Sequence, residues 1–244
     1  MLTSYIEAKI GELVNERPER AEVFERCGID FCCGGQQTLV VACRSAGANL
    51  EYVCRELAAV DSHQHTSLDA DWAHCSLSSL ADEIVDSHHA YLRNELPRIE
   101  GLFRKVVAKH GPRHPELKNA HNIFRALADE LHQHMFKEEH VLFPIVKALE
   151  VAQEQRRALP VFHCGSVSNP ISAMVREHRE AVDALHAMRR LTHEFKPPAD
   201  ACPAYCALLD GLLQLEQDLH LHMHKENNLL FPRAAELEAE LAGV

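Results

Sequence analysis

A thirteen-residue pattern occurs twice in the chain, and each copy ends in Leu-Phe-Pro. Each copy also contains His-x3-Glu, as His134 with Glu138 in the first and His222 with Glu226 in the second. Residues four apart lie on one face of an α-helix, about 6 Å apart along its axis, so each pair can present an imidazole and a carboxylate to one point. The repeat therefore predicts two similar helical hairpins that each supply half of a dinuclear metal site.

Composition favours a mostly helical, soluble protein of the cytoplasm. Hydrophobic residues make up 46% of the 244 residues, and long stretches lack both Gly and Pro. Because no apolar run could cross a bilayer and the N-terminus carries charged residues, we expect no membrane partner. A net charge of −11 argues against a nucleic-acid partner. The odd count of nine Cys in so long a chain indicates reduced thiols.

Breaker residues and apolar periodicity divide the chain into three predicted segments. Residues 1–62 form a small domain of three or four short helices, residues 63–76 form a polar linker, and residues 77–244 form an antiparallel four-helix bundle. We expect Pro97 to kink the first bundle helix rather than end it. The four helices are predicted from Ser76, Ser78 or Ser79 to His110, from Pro115 to about residue 157, from residue 168 to about Pro197, and from Pro203 to about Leu241.

Two His and two Glu are too few for two metal ions, so the first and third bundle helices should add ligands. His178 stands in the apolar stripe of the third helix, and His88-His89 occupies the corresponding part of the first. Adjacent helical residues diverge by about 100°, so we expect only one of these two to face the core. Periodicity leaves both open, with His89 preferred. We expect the repeat's remaining histidines not to bind metal: His132, His140, His220 and His224.

The predicted ligand set mixes imidazoles and carboxylates, a chemistry that suits iron, manganese or zinc. Bridging carboxylates favour two ions held close together with a position open for a small ligand. The Glu-x2-His pairs of ferritin-like sites and the His-Glu-x2-His motif of zinc proteases are both absent from the sequence. The candidate ligands are His89, His134, His178, His222, Glu138 and Glu226.

Cys32 and Cys33 form the second chemically suggestive feature, in the segment Asp-Phe-Cys-Cys-Gly-Gly. Vicinal cysteines seldom form a structural disulfide, because the ring that would close is strained. Exposed thiols beside flexible glycines can instead exchange electrons, bind a soft metal or take up nitric oxide. A helix that started after Gly35 would lower the pKa of these thiols through its dipole. Chemistry alone leaves a redox role and a turn-filling role equally open.

The chain resembles the di-iron proteins for repair of iron centres. The resemblance rests on the segment 30–39, on Leu96-Pro97 after the His89 region, and on both His-x3-Glu copies. It implies a hemerythrin-like bundle with a small helical N-terminal domain and two non-haem iron ions joined by an oxo bridge. It also implies that His89 rather than His88 is a ligand, that four His complete the site and that Glu138 and Glu226 bridge the ions. Oxygen-carrying hemerythrins use five His, which argues against reversible oxygen carriage here.

The resemblance implies a stress-response function, the repair of iron–sulfur clusters damaged by nitric oxide or peroxide. Iron donation and nitric oxide reduction or transfer are both open as the chemistry, so an enzymatic activity of the nitric oxide reductase type is uncertain. In the second case Cys32 and Cys33 would be a catalytic thiol relay, in one chain or across a homodimer. The alternative is a hemerythrin-like sensor or store for oxygen, nitric oxide or iron, and a zinc-stabilised structural bundle is disfavoured.

Overall fold

The computed structural model describes residues 5–62, 72 and 74–243. Within these residues the chain is helical and has no strand, apart from an isolated bridge between Lys9 and Thr38. The predicted all-α fold is confirmed. No described helix is both long and apolar enough to cross a membrane. Most of the predicted linker at 63–76 lies outside the described residues, which include only 72 and 74–76 of it.

The helices follow one another with three π-helical turns among the described residues. These turns are Val85–His89, Glu138–Leu142 and Glu226–Leu230. The helices are α1 (Ile10–Glu16), α2 (Arg20–Arg26), α3 (Leu39–Ala46), α4 (Leu50–Ser62), α5 (Leu77–Ile84), α6 (Ala90–His110), α7 (Glu116–Lys137), α8 (Phe143–Glu154), α9 (Ser168–Leu191), α10 (Pro203–Lys225) and α11 (Phe231–Ala242).

Helix boundaries follow the predicted signals with one clear difference. Of the candidate caps, Ser76 accepts a hydrogen bond from the backbone N–H of Ser79 at 3.0 Å. Pro97 lies inside α6 without ending it. The third bundle helix, α9, stops at Leu191 instead of near Pro197. It stops because residues 193–195 adopt left-handed backbone angles, with φ of 50°, 61° and 57°, which an α-helix cannot continue through.

The described chain divides into two units. Unit 1 comprises the described parts of Met1–Ala81, Val146–Val161 and His220–Val244, and unit 2 comprises Asp82–Ile145 and Phe162–Leu219. Unit 1 therefore contains both the N-terminal helices and the second repeat copy. The predicted boundaries of the domains remain a prediction, because this division follows packing rather than chain order.

Unit 1 has an apolar core built from the N-terminal helices. Leu13, Phe24, Leu39 and Leu57 are almost fully buried there, and Leu221 from the second repeat copy packs against the same cluster. Unit 2 is built on helix pairs: α6 packs on α7, and α7 packs on α9. The short connection between α6 and α7 makes that pair an antiparallel hairpin. These pairs hold the side chains of the first repeat copy in place.

A charge cluster fixes the end of α4 to the start of unit 1. The Arg20 guanidinium lies 2.8 Å from an Asp61 oxygen and is only 8% exposed. Tyr5 donates a hydrogen bond to the same carboxylate. Burial opposes ionisation of Asp61, but the hydrogen bonds from Arg20 and Tyr5 win and lower its pKa. Asp61, in α4, thus has a structural role beside the segment predicted as a linker.

We predict that Asp61→Asn lowers the free energy of unfolding at pH 7 by about 2 kcal/mol, because a hydrogen-bonded charge pair is lost. A carboxyl group with a lowered folded-state pKa stabilises the fold above its unfolded pKa, and this contribution disappears as pH falls through the folded value. The difference between variant and wild type should therefore vanish in strong acid. Urea unfolding at several pH values measures it. Glu16→Gln, which removes an exposed partner of Arg20, should stay within about 0.5 kcal/mol of wild type.

Candidate metal centre

In unit 2 the buried carboxylate of Glu138 lies between two histidines. Its Oε1 is 3.0 Å from His134 Nε2, and its Oε2 is 3.2 Å from His89 Nε2. Within the part of the chain that the structure describes, neither oxygen makes a hydrogen bond. His178 Nε2 lies 3.2 Å from His134 Nε2, so the two imidazoles adjoin each other beside Glu138. Each oxygen of Glu138 thus faces a different imidazole, the arrangement expected of a carboxylate that bridges two ions.

The hydrogen bonds at Nδ1 of His89 and His134 define the tautomers of these two imidazoles. His89 Nδ1 lies 2.6 Å from Glu139 Oε1, and His134 Nδ1 lies 2.9 Å from Glu177 Oε2. An ionised carboxylate can only accept, so each Nδ1–H donates and the neutral ring carries a lone pair on Nε2. Those lone pairs point towards Glu138, which is also an acceptor. Buried acceptors that face each other at about 3 Å need a proton or a metal ion between them, and imidazoles backed by carboxylates are typical of metal ligands.

The two carboxylates behind these imidazoles, Glu139 and Glu177, are the outer carboxylates of the site, and both are held in their ionised form. Hydrogen bonds from His134, and then from Lys137, lower the pKa of Glu177 to about 2 despite its partial burial. Burial opposes ionisation of Glu139 as well, but hydrogen bonds from His89 and Arg93 lower its pKa. A carboxylate behind a ligating imidazole fixes the ring's orientation and raises its basicity, as in many metal sites.

The second repeat copy presents the same pair in unit 1. His222 Nε2 lies 3.3 Å from Glu226 Oε1, and both side chains are buried, at 1% and 0% exposure. The His-x3-Glu prediction of one imidazole and one carboxylate on a common helix face is therefore confirmed as geometry in both copies. Their ligation of metal stays a prediction. In unit 2 the ligand atoms of His134, Glu138 and His178 lie within 4.8 Å of one another, close enough to share an ion.

The sequence reasoning missed the π-helical turns, two of which begin at the repeat's glutamates. Such turns insert an extra residue into the helix and often occur at functional sites. The signal was present in the Leu-Phe-Pro that ends each copy, because Pro144 and Pro232 have no N–H to donate and would clash with a carbonyl four residues earlier in a regular helix. A wider turn just before each proline relieves that conflict.

The expectation that only one of His88 and His89 faces the interior is wrong. Both are buried, at 5% and 0% exposure, since they lie in the π-helical turn Val85–His89. They serve different partners: His88 Nδ1 lies 2.8 Å from Asp218 Oδ1, whereas His89 lies beside Glu138. The geometry therefore agrees with the choice of His89 as the candidate ligand.

Cys32 and Cys33 pack directly on the second repeat copy within unit 1. Asn228 Nδ2 donates to the Cys32 carbonyl at 3.0 Å, and Asn227 Nδ2 donates to the same oxygen at 3.2 Å. Asn227 Nδ2 also lies 3.8 Å from Cys33 Sγ. Sequence reasoning did not predict this contact. Its signal was the divergence of the two copies, which carry Glu139-His140 in one and Asn227-Asn228 in the other.

The conditional prediction of low thiol pKa values does not hold for Cys32. Helix α3 begins at Leu39, several residues after Gly35. The neighbouring Cys33 thiol, followed by burial, raises the pKa of Cys32 well above its usual value. Cys32 is 2% exposed, Cys33 is half-buried, and their sulfurs lie 3.9 Å apart. Cys32 is therefore a protonated thiol at neutral pH.

His224 stabilises the contact between the Cys32 turn and the second repeat copy. Its Nε2–H donates to Asn15 Oδ1 at 2.8 Å, and its Nδ1 accepts from Asn228 Nδ2 at 3.2 Å. Burial lowers the pKa of His224 to about 4, so the ring is neutral and both of its nitrogens are used. This ring is a structural link between α1 and the Cys32 turn, and the expectation that it does not bind metal stays a prediction.

We predict that Gly35→Ala destabilises unit 1 by about 1–3 kcal/mol, the usual cost of overpacking. A Cβ at Gly35 would lie 2.1 Å from Asn228 Oδ1, so the asparagine or the Cys32 turn would have to move. Gly101→Ala is the matched control, because its Cβ would meet nothing within 4 Å and a helical alanine should stabilise slightly. Equal urea midpoints for the two variants would contradict the proposed packing.

We predict that His89→Ala removes at least half of the bound metal, because His89 faces Glu138, whereas His88→Ala retains most of it. The measurement is metal content per chain after expression in iron-rich medium. Circular dichroism of both variants controls for folding. The opposite ranking would transfer the ligand role to His88.

Comparisons with known proteins agree with this arrangement. Residues 80–234 match the hemerythrin HHE cation-binding domain family, a helical bundle, and residues 6–61 match a domain of unknown function, DUF542. The chain is 33% identical over 230 residues to a probable iron-sulfur cluster repair protein of Haemophilus influenzae, covering 94% of this chain and 97% of the relative. It is 34% identical to the iron-sulfur cluster repair protein YtfE of Cronobacter sakazakii, over 92% of this chain and 95% of the relative. The YtfE protein of Escherichia coli O157:H7 is 32% identical over 95% of this chain and 98% of its own length.

Proposed function

This chain belongs to the family of iron–sulfur cluster repair proteins with a hemerythrin domain, and we propose that it restores iron–sulfur clusters of other proteins after nitrosative or oxidative damage. The observation that carries the proposal is the buried Glu138 carboxylate, which offers one oxygen to each of two histidines. A redox centre of two metal ions accounts for that arrangement.

We assign two non-haem iron ions to this centre, joined by an oxo bridge. The proposed ligands are the six predicted from the sequence: His89, His134, His178, His222, Glu138 and Glu226. Neutral imidazoles backed by carboxylates, together with bridging carboxylates, suit iron, manganese or zinc. Zinc has no redox chemistry, and we choose iron over manganese because the relatives are named for iron-sulfur cluster repair. When bound, the two ions would exchange electrons and offer a position to a small ligand.

Burial of the ligands favours small-molecule chemistry over iron release. His134, at 4% exposure, is the most exposed of the six, and Glu138 and Glu226 are at 0%. Iron donation to another protein would require these helices to open, whereas a diatomic molecule could react inside a closed site. We therefore favour nitric oxide as the small molecule that reacts at the centre, and damaged iron–sulfur proteins as the proteins that are repaired. Iron donation is the second candidate.

Cys32 and Cys33 can supply the electrons for nitric oxide reduction. Oxidation of two thiols to one disulfide releases two electrons and two protons, the number that converts two nitric oxide molecules into nitrous oxide and water. The sulfurs lie 3.9 Å apart and would have to close to about 2.05 Å. The contact between Cys33 and Asn227, next to Glu226, supports this role over that of an N-terminal domain used only for association in a sensor. Because the contact lies within one chain, the relay needs no homodimer.

We predict that Cys32→Ala/Cys33→Ala keeps its iron but loses at least about tenfold in nitric oxide turnover and in reactivation of a nitrosylated iron–sulfur enzyme, because the electron donor is gone. Glu138→Leu should lose both iron and activity, since a bridge is missing. Both readouts are taken as a single turnover on the purified full chain, whose thiols are reduced beforehand and the reductant then removed, because each thiol pair supplies only two electrons.

Cys164→Ala is the matched control, because this thiol belongs to unit 2 whereas Cys32 and Cys33 belong to unit 1, and it should change neither readout. Full reactivation by the double cysteine variant would reject the thiol relay and favour iron donation. Full activity of an iron-free Glu138→Leu protein would reject the di-iron centre itself.

A further inference from the structure

A second group of metal-ligating side chains lies in unit 2 where α6 ends and α10 begins. His110 is the last residue of α6, and His114 follows in the connection to α7. Asp200 and Cys202 precede α10, which starts at Pro203. The ligand atoms of His110, His114 and Asp200 lie within 4.8 Å of one another, and Cys202 Sγ lies 3.2 Å from His110 Nε2. Two separate stretches of chain, residues 110–114 and 200–202, thus bring four ligand-type residues together.

His114 has a carboxylate beside each of its ring nitrogens, as His89 and His134 do in the centre around Glu138, which we call the repeat-derived centre. Its Nδ1 lies 3.2 Å from Glu116 Oε1, and its Nε2 lies 2.9 Å from Asp200 Oδ1. A neutral ring that donates from Nδ1 to Glu116 presents a lone pair on Nε2 to a carboxylate oxygen. Either a proton or a metal ion must separate these two acceptors. Glu116 would then act as the outer carboxylate that fixes the ring for ligation.

His110 and Cys202 supply the other half of the group. His110 is 5% exposed, so its ring is already held in the interior. The Tyr205 ring, also buried, packs against both imidazoles, with centroids 5.3 Å from His110 and 5.8 Å from His114. The backbone N–H of Tyr205 lowers the pKa of the Cys202 thiol, as expected at the start of a helix. The thiolate form, which binds metal, is therefore more accessible here than in an ordinary thiol.

The distances can be compared with those of a tetrahedral ion. Zinc bonds of about 2.0–2.2 Å to nitrogen and oxygen and about 2.3 Å to sulfur place neighbouring ligand atoms roughly 3.3–3.8 Å apart. The separations of 2.9 Å between His114 and Asp200 and 3.2 Å between His110 and Cys202 are both shorter than that range. Binding of an ion would therefore require side-chain rotations that lengthen both separations and bring the two pairs around one point.

We propose that His110, His114, Asp200 and Cys202 bind one Zn²⁺ ion in a closed, structural site. The site is separate from the repeat-derived centre, because α6 spans 21 residues, about 30 Å, and His89 and His110 lie at its opposite ends. The ion would tie the α6–α7 connection to the segment that leads into α10. A tetrahedral site with four protein ligands leaves no open position, so its role is to stabilise these loops rather than to react.

Cobalt(II) is the probe that tests the site, since it takes zinc's place and reports its ligands optically. We expect the iron-loaded full chain to bind one equivalent of Co²⁺ with intense tetrahedral absorption and a thiolate-to-cobalt band, both abolished by added Zn²⁺. Cys202→Ser should remove the thiolate band. His114→Ala and Asp200→Asn should each weaken Co²⁺ binding by at least about tenfold. Cys206→Ser, one turn further along α10, should leave both the band and the affinity unchanged.

Competing outcomes are distinguishable. The thiolate band must persist in Cys32→Ala/Cys33→Ala, because Asp30, Cys32 and Cys33 also lie close together and could bind cobalt. Cobalt binding that survives His110→Ala, His114→Ala and Asp200→Asn alike would show an adventitious ion elsewhere and overturn the proposal. So would a failure to bind Co²⁺ together with an NMR titration that shows His114 as a charged imidazolium, since a proton would then separate the acceptors. Retained circular dichroism in each variant establishes that lost binding is not lost folding.

Discussion

The buried carboxylate of Glu138 is the constraint on which unit 2 depends. It is fully buried, and it stands about 3 Å from the Nε2 atoms of His89 and His134, whose other nitrogens are committed to Glu139 and Glu177. A buried charge among acceptors is tolerated only with a compensating cation. Metal bound at this site, as we propose, would supply that cation between α6, α7 and α9, and Glu139 and Glu177 would orient the imidazoles for it.

The two repeat copies share one backbone feature, a π-helical turn, but make different contacts with it. Both place a histidine and a glutamate around the start of a π-helical turn. In the first copy the residue after the glutamate, Glu139, accepts a hydrogen bond from the candidate ligand His89. In the second copy Asn227 and Asn228 instead hold the turn that carries Cys32 and Cys33. Divergence at these two positions thus gives the second copy its contact with the cysteine pair, and Gly35 permits the close approach.

Local patterns predicted the helices and most of the site, because these depend on periodicity and spacing. His134 with Glu138, His222 with Glu226 and the burial of His178 all follow from residues four apart or from one apolar stripe. The burial of both His88 and His89 could not be foreseen, since a π-helical turn changes the angle between adjacent residues. The docking of Cys32 on Asn228 was also missed, because contacts between segments distant in sequence leave no periodic trace in either one.

Anomalous X-ray scattering at the iron edge, measured on crystals of the aerobically purified, iron-loaded full chain, tests the central claim most directly. Our account predicts two iron peaks per chain, one on each side of the Glu138 carboxylate and about 3–4 Å apart. A single peak, peaks remote from Glu138, or a zinc signal at these positions would contradict it.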